Sequence, residues 1–240
     1  MNFFKQIFLK ILDFLLPPLC PICKEKVLNS NALCANCYQK IHFISKPYCK
    51  ICGRPFYIKT FGENTCATCL KKKPIYHRAR TAFLYDDFSK KLILSFKHGD
   101  KIEHLPLLIN LLNQAGKELL PESDILIPVP LHPFRLIKRK YNQSALLAQG
   151  LARIHHKIYM PNNLVRIRHT KSQGHLKASE RHKNMRKAFA IKNSFLINDK
   201  NILLIDDVFT TGATVSECAK ILLKNGAKSV SVLTLTRTKH

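Results

Sequence analysis

Two adjacent aspartates run into a threonine-rich turn in Ile202 to Thr214, ILLIDDVFTTGAT, the stretch of this chain whose residue types are best placed to do chemistry. Asp206 and Asp207 are acceptors for the paired hydroxyls of a ribose. Thr210, Thr211 and Thr214, set around Gly212 and Ala213, offer hydroxyls and backbone N–H groups to a phosphate where a following helix presents its positive end. Together these groups suit a ribose 5-phosphate. The elements that must hold them are visible beside them. Ile202 to Ile205 is apolar enough for an interior strand of a parallel sheet, and Ala213 to Leu223 has the apolar spacing of a helix. The acids therefore fall at the carboxyl end of a strand, where open α/β sheets bind ligands. An ordinary turn with Thr211 or Thr214 capping the helix is the competing account, but it leaves most of the ligand-type groups in the loop without a purpose.

A second pattern points to metal. Eight of the nine cysteines form four Cys-x-x-Cys pairs, Cys20 with Cys23, Cys34 with Cys37, Cys49 with Cys52 and Cys66 with Cys69. A two-residue spacer lets both sulfurs of a pair face one ion, and two pairs complete a closed tetrathiolate zinc site. Ten, eleven and thirteen residues separate successive pairs. The expectation is two structural zinc ions, with the first pair joined to the second and the third to the fourth; interleaved pairing is also open, because spacing does not fix connectivity. Disulfides, redox dithiols and an iron–sulfur cluster fit this pattern less well. Leu19 to Leu70 has few long apolar runs, so metal would supply stability that burial does not. Cys218 stands apart as a free buried thiol on the helix after the turn.

The 240 residues, 46% hydrophobic, suffice for one substantial core and a small module. The formal charge of +25 suggests a polyanionic partner, nucleic acid first and an anionic membrane surface second. From Phe134 to Lys187 there are fourteen Lys or Arg against one acid, Glu180, more cations than one pyrophosphate needs. Residues 3–16 place Phe3, Phe4, Ile7, Phe8, Ile11, Leu12, Leu15 and Leu16 at helical spacing, an amphipathic helix too short and too polar to span a bilayer and without a signal-peptide cleavage site. It suits packing on the protein's core or on a partner, and secondarily peripheral contact with the inner face of a membrane. A cytoplasmic location follows as the expectation. The chain divides into an amphipathic helix over 1–18, a double zinc ribbon over 19–76 and an α/β domain over 77–240.

In that last part, strands are expected at Ala79 to Tyr85, Asp124 to Val129, Asn163 to Arg168, Ile202 to Ile205 and Ser229 to Leu235. Helices are expected at Lys90 to Phe96, Leu105 to Leu120, Gln143 to His155 and Ala213 to Leu223. The opening segment resembles the PRPP-binding motif of type I phosphoribosyltransferases, in which acids, threonines and glycine keep order and spacing. Two further segments, Ile127 to Ala148 (IPVPLHPFRLIKRKYNQSALLA) and Arg166 to Phe189 (RIRHTKSQGHLKASERHKNMRKAF), extend the likeness. With the cysteine pairs and leading apolar helix, nearly the whole chain resembles the ComF family, bacterial proteins of natural DNA uptake that join a zinc-ribbon module to a phosphoribosyltransferase-like domain.

The resemblance implies a type I phosphoribosyltransferase-like parallel sheet flanked by helices. It implies PRPP as ligand, with magnesium, on Asp206, Asp207 and residues Thr210 to Thr214, the two acids being the catalytic-site pair. The loop after Val129 would take pyrophosphate, with Arg135, Arg139 and Lys140 as charge-assisted donors. The basic stretch His169 to Asn184 would be a loop closing over the ligand, contacting it through Gln173, Arg181 and Asn184. Single-stranded DNA and other DNA-uptake proteins are the implied macromolecular partners, with Phe134, Tyr141 and Tyr159 as candidate stacking rings. If the site turns over, an acceptor displaces pyrophosphate from C1 of PRPP. A nucleotide-salvage or amidophosphoribosyltransferase-type enzyme without a DNA role is the alternative; it needs a base-recognition hood, and cysteine pairs occupy the place of one.

Overall fold

The computed structural model describes residues 17–239 apart from 30, 59–61, 63, 99–101, 169 and 171–177. The amphipathic helix expected over 3–16 and Gln173 lie outside the described residues.

Short apolar runs, nearly continuous in the buried strands, make the sheet elements: β1 (Ala79–Tyr85), β2 (Ile125–Pro128), β3 (Ile158–Tyr159), β4 (Leu164–Arg166), β5 (Phe189–Ile191), β6 (Asn201–Phe209) and β7 (Ser229–Thr238). Five of them form one parallel sheet in the order β1-β7-β6-β2-β3. The helices are α1 (Ala35–Lys40), α2 (Ala67–Lys71), α3 (Ser89–His98), α4 (Leu105–Ala115), α5 (Pro133–Arg139), α6 (Gln143–His155), α7 (Ala178–Met185) and α8 (Ala213–Lys224). Alternate side chains of β6 go to opposite faces. Leu203 and Ile205 pack with Phe96 of α3, Leu108 and Leu112 of α4, and Leu147 and Leu151 of α6. Ile202 and Leu204 pack with Val215, Cys218, Ala219 and Leu222 of α8. Both faces of the sheet are therefore covered, as an all-parallel sheet requires.

Chain order and strand order together locate a crevice. From β2 the chain moves through α6 to β3 on one side; from β6 it moves through α8 to β7 on the other. The switch point lies between β2 and β6, at their carboxyl ends.

Three expectations are corrected. The helix expected to reach Leu120 stops at Ala115, because Gly116 ends it; Leu119 and Leu120 reach the core from a turn. The strand expected over Asn163 to Arg168 shortens to β4 and pairs antiparallel with β5 outside the main sheet. The stretch expected as one loop to Asn184 contains α7, whose Met185 is buried among Leu164, Phe189 and the α8 side chains.

The cysteine segment folds as two copies of one ribbon. In each, the first cysteine begins a tight knuckle, with Cys20 N–H donating to Glu25 C=O at 2.8 Å and Cys49 N–H to Arg54 C=O at 2.8 Å. In each, the third cysteine, Cys34 or Cys66, caps a short helix, α1 or α2, that carries the fourth. The module is joined to the sheet. Ile44 N–H donates to Ala82 C=O and Leu84 N–H to His42 C=O, each at 2.9 Å, which covers the outer edge of β1. Gly53 is fixed by the same docking: at φ +68° a Cβ there would lie 2.5 Å from Ala79 O.

Candidate functional site

The eight paired cysteines form two clusters. The sulfurs of Cys20, Cys23, Cys34 and Cys37 lie within 4.8 Å of one another, and so do those of Cys49, Cys52, Cys66 and Cys69. First pair thus joins second, and third joins fourth. The donor sets fit zinc: four thiol sulfurs and no open position. The second cluster is buried throughout. A hydrogen bond from Cys52, with backbone N–H groups including that of Cys66 at 3.3 Å, lowers the Cys49 thiol, while the same side-chain bond raises Cys52 and burial raises Cys69. Four sulfurs this close ionise together only with a cation to balance them, as a tetrathiolate metal site supplies.

At the switch point, a cavity of about 430 Å³ is lined by the loop after β2, α5, the start of α6, the carboxyl end of β4, α7, and the end of β6 with its turn. It gathers Arg135, Arg139, Arg181, Asp206, Asp207, Thr210 and Thr214 from the residues expected to form the site. Thr211, Gly212 and Ala213 make the turn itself: Gly212 caps α8 at φ +76°, Thr211 Oγ1 accepts from Ala213 N–H at 3.4 Å, and Ala213 is buried. Lys140 ends α5, and neither it nor Asn184 of α7 lines the cavity.

Strand β6 runs four residues beyond the apolar Ile202 to Ile205, so both acids belong to the strand rather than to the loop after it. Oδ1 of Asp206 accepts from Ser144 Oγ at 3.0 Å and from Asp207 N–H at 2.9 Å. Ser144 is in turn placed by Asn142, which caps α6 by accepting from Ser144 N–H at 3.0 Å and donates to Val129 C=O at 3.1 Å. One asparagine thereby ties the loop after β2 to the helix that orients the acid.

Arg166 lines the cavity but was not among the expected site residues. It is 8% exposed, contacts Thr170 Oγ1 and Met185 Sδ, and lies over the Phe189 ring at 5.6 Å, while its Nε has no hydrogen-bond partner among the described residues. Among the described residues no carboxylate lies within ion-pairing distance of Arg135, Arg139 or Arg166. Burial and the neighbouring Arg135 charge lower Arg166 to about 10, and burial followed by the Arg139 charge lowers Arg135. Three guanidiniums in one cleft, two of them with their charged form disfavoured by burial and by a neighbouring cation, are arranged for an anion from outside. The available sequence signal was a charged residue inside the apolar strand LVR.

Of the rings considered for stacking, only Phe134 is open, at 68% exposed. Tyr141 packs against the core and donates its hydroxyl to Phe96 C=O at 2.9 Å, and Tyr159 also packs against the core, each partly buried.

Residues 11–75 match the double zinc ribbon domain and residues 142–240 the phosphoribosyl transferase domain. The chain is 34% identical over 220 residues to "Competence protein F" of Haemophilus influenzae, covering 88% of this chain and 92% of that protein. The chain belongs to the ComF family. Other members similar to it are "DNA utilization protein YhgH" of Escherichia coli (strain K12), 32% identical over 92% of this chain and 98% of that one, and "Competence protein ComFC" of Bacillus subtilis (strain 168), 30% identical over 86% and 84%. Its fold is the parallel phosphoribosyltransferase sheet with an N-terminal double zinc ribbon.

Lys140 stands between Arg139 and Tyr141 in the segment that leads into α6. Lys140 adopts φ +64°, the left-handed conformation that glycine takes without penalty. A side chain there costs about 1–2 kcal/mol, partly offset by the extra unfolded-state freedom of glycine. Lys140→Gly is therefore expected to stabilise the protein by roughly 0.5–1 kcal/mol, raising Tm by about 1–4 °C in a calorimetric scan.

Proposed function

We propose that this ComF-family protein binds PRPP with magnesium in the switch-point cavity and handles single-stranded DNA during DNA uptake. The observation that carries the first half is the meeting, in one cavity, of the Asp206 and Asp207 pair, the Thr210 to Thr214 turn and a cluster of guanidiniums. In this arrangement the turn at the positive end of α8 takes the 5-phosphate and the acids take the ribose hydroxyls. Arg135, Arg139 and Arg166 face the pyrophosphate. Lys140 and Arg181 add charge near it, and Asn184 acts from the far end of α7. Magnesium fits a site with carboxylates and a phosphorylated ligand, where Asp206 and Asp207 would face it, and it supplies neutralisation of pyrophosphate charge.

If the site turns over, the bond between C1 and the pyrophosphate oxygen breaks as an acceptor's lone pair forms a bond to C1, and pyrophosphate leaves with the electron pair. The guanidiniums stabilise that leaving group, and burial of Arg166 strengthens its effect.

The second half rests on the fourteen cations between Phe134 and Lys187 and on the names of the relatives, which speak of competence and DNA utilization. Phe134, exposed at the start of α5 beside His132 at 5.2 Å between ring centroids, supplies a ring for a base. The proposed setting is the cytoplasm, with residues 3–16 as a peripheral membrane or partner contact and other DNA-uptake proteins as partners. Among the described residues no helix is long and apolar enough to cross a membrane.

Calorimetric titration with PRPP and magnesium is expected to show one site per chain. Oligonucleotide binding is expected to weaken steeply with salt, at a logarithmic slope of about −0.7 per phosphate contacted. No heat with PRPP rejects the first half, and salt-insensitive DNA binding rejects the second.

A further inference from the structure

The second ribbon presents three successive backbone carbonyls to the phosphoribosyltransferase sheet, and each is taken. Lys50 C=O accepts from Arg80 Nη1 at 3.2 Å, Ile51 C=O from Ala79 N–H at 2.7 Å, and Cys52 C=O from Arg237 Nη1 at 2.7 Å. The knuckle that holds metal is thus part of the hydrogen bonding of β1 and β7.

Arg237 is the unusual member. It is 5% exposed and, among the described residues, has no carboxylate partner. A buried, unpaired guanidinium is costly unless something else compensates its charge. Two groups do. One is the cysteine cluster, which carries net negative charge as a tetrathiolate around a divalent ion; Cys52 is both its ligand and the source of the carbonyl. The other is the face of Phe209, 4.9 Å from the guanidinium carbon.

Phe209 is the last residue of β6 and the register partner of Arg237 on β7. Its buried ring meets Tyr76 edge-on at 6.3 Å between centroids. On its other side its Cζ lies 2.9 Å from where a Cβ on Gly212 would sit, and Gly212 is the left-handed residue that opens α8. Close packing transmits displacement, because there is no free volume to absorb it. A shift of the Phe209 ring therefore moves the threonine turn.

We propose that Arg237 and Phe209 are positioning residues that couple metal occupancy of the Cys49, Cys52, Cys66 and Cys69 site to ligand affinity at the Thr210 to Thr214 turn. The proposal rests on the PRPP reading of the cavity. Coupling of this kind is reciprocal: if the zinc-loaded knuckle favours the ligand, the ligand raises zinc affinity by the same factor.

The test is chelator competition for zinc in the full-length protein, with and without saturating PRPP and magnesium. It is run on the wild type and on Arg237→Met and Arg237→Lys, with PRPP affinity from calorimetry and a thermal melt for each. The expected result is that PRPP tightens one of the two zinc ions by at least about fivefold, within the usual range of coupling. Arg237→Met abolishes that tightening and weakens PRPP about as much, and Arg237→Lys restores part of both. PRPP binding that leaves both zinc affinities unchanged overturns the coupling and leaves the proposed function standing. Absence of PRPP binding to the wild type overturns both. Tightening that survives Arg237→Met overturns the role of Arg237, and the wild-type comparison by itself can still overturn the coupling if Arg237→Met does not fold.

Discussion

Replacing Asp206 and Asp207 together with alanine is expected to weaken PRPP binding by at least about a hundredfold while leaving single-stranded DNA binding intact. Each carboxylate is placed to accept charge-assisted hydrogen bonds from ribose hydroxyls, at roughly 1.5–3 kcal/mol apiece, so the pair accounts for about 3–6 kcal/mol. The acids also temper a cavity that holds Arg135, Arg139 and Arg166. Without them the guanidiniums face one another alone, and a free phosphate or a DNA phosphate is held at least as well as before. The double variant is therefore expected to bind pyrophosphate and oligonucleotide with undiminished affinity, a selective loss that general unfolding would not produce. Calorimetry with the three ligands in parallel checks it. Unchanged PRPP affinity would remove the acids from the site. A single Asp206→Asn change separates orientation from charge, since the amide oxygen still accepts from Ser144 Oγ and Asp207 N–H.

Loss of one second-cluster thiolate, as in Cys49→Ser, is expected to lower zinc content from two ions per chain to one and to destabilise the α/β domain along with the ribbon. A structural zinc site in an isolated module is worth on the order of 10 kcal/mol at neutral pH. A third of that transmitted to this chain lowers Tm by roughly 7–13 °C. The transmission is structural: the knuckle's carbonyls hold Arg80, Ala79 and Arg237, and Arg80 also donates to Glu118 Oε2 through Nε at 3.0 Å and Nη2 at 2.8 Å. The matching change in the first ribbon, Cys20→Ser, is expected to cost less, because Cys23 of that cluster is exposed whereas all four cysteines of the second are buried, although Ile22, Leu33, Ile41 and Phe43 also pack the first ribbon on the main core. Metal analysis beside thermal melting checks both. Equal losses would mean that the two ribbons dock equivalently.

Much of the architecture was legible because each device has a local signature. Cys-x-x-Cys has few uses other than holding metal, a run such as ILLI has few places to go but a covered sheet, and DDVFTTGAT carries its own turn. Legibility failed where a segment's partner lies far away in sequence. Arg166 reads as one more basic residue of a basic stretch, yet β4 pairing with β5 carries it into the cavity and buries it. Tyr141 and Tyr159 read more readily as core than as stacking rings, and both pack against the core. Arg181 and Asn184 read as loop residues, but Met185 finds a buried place among Leu164 and Phe189 and ends an eight-residue helix that includes them both.

The sequence by itself determined that this chain groups thiols in metal-ligand pairs, builds a parallel α/β sheet and ends one strand in two acids and a threonine turn, because spacing, apolar runs and turn chemistry act over a few residues. The tertiary structure alone decided which knuckle backs the Thr210 to Thr214 turn and which cations face the acids. Those outcomes depend on the strand order β1-β7-β6-β2-β3, which sets Arg237 beside both Cys52 and Phe209 and opens the cavity between β2 and β6. Strand order follows from the summed burial of both sheet faces, a quantity no short window of residues contains.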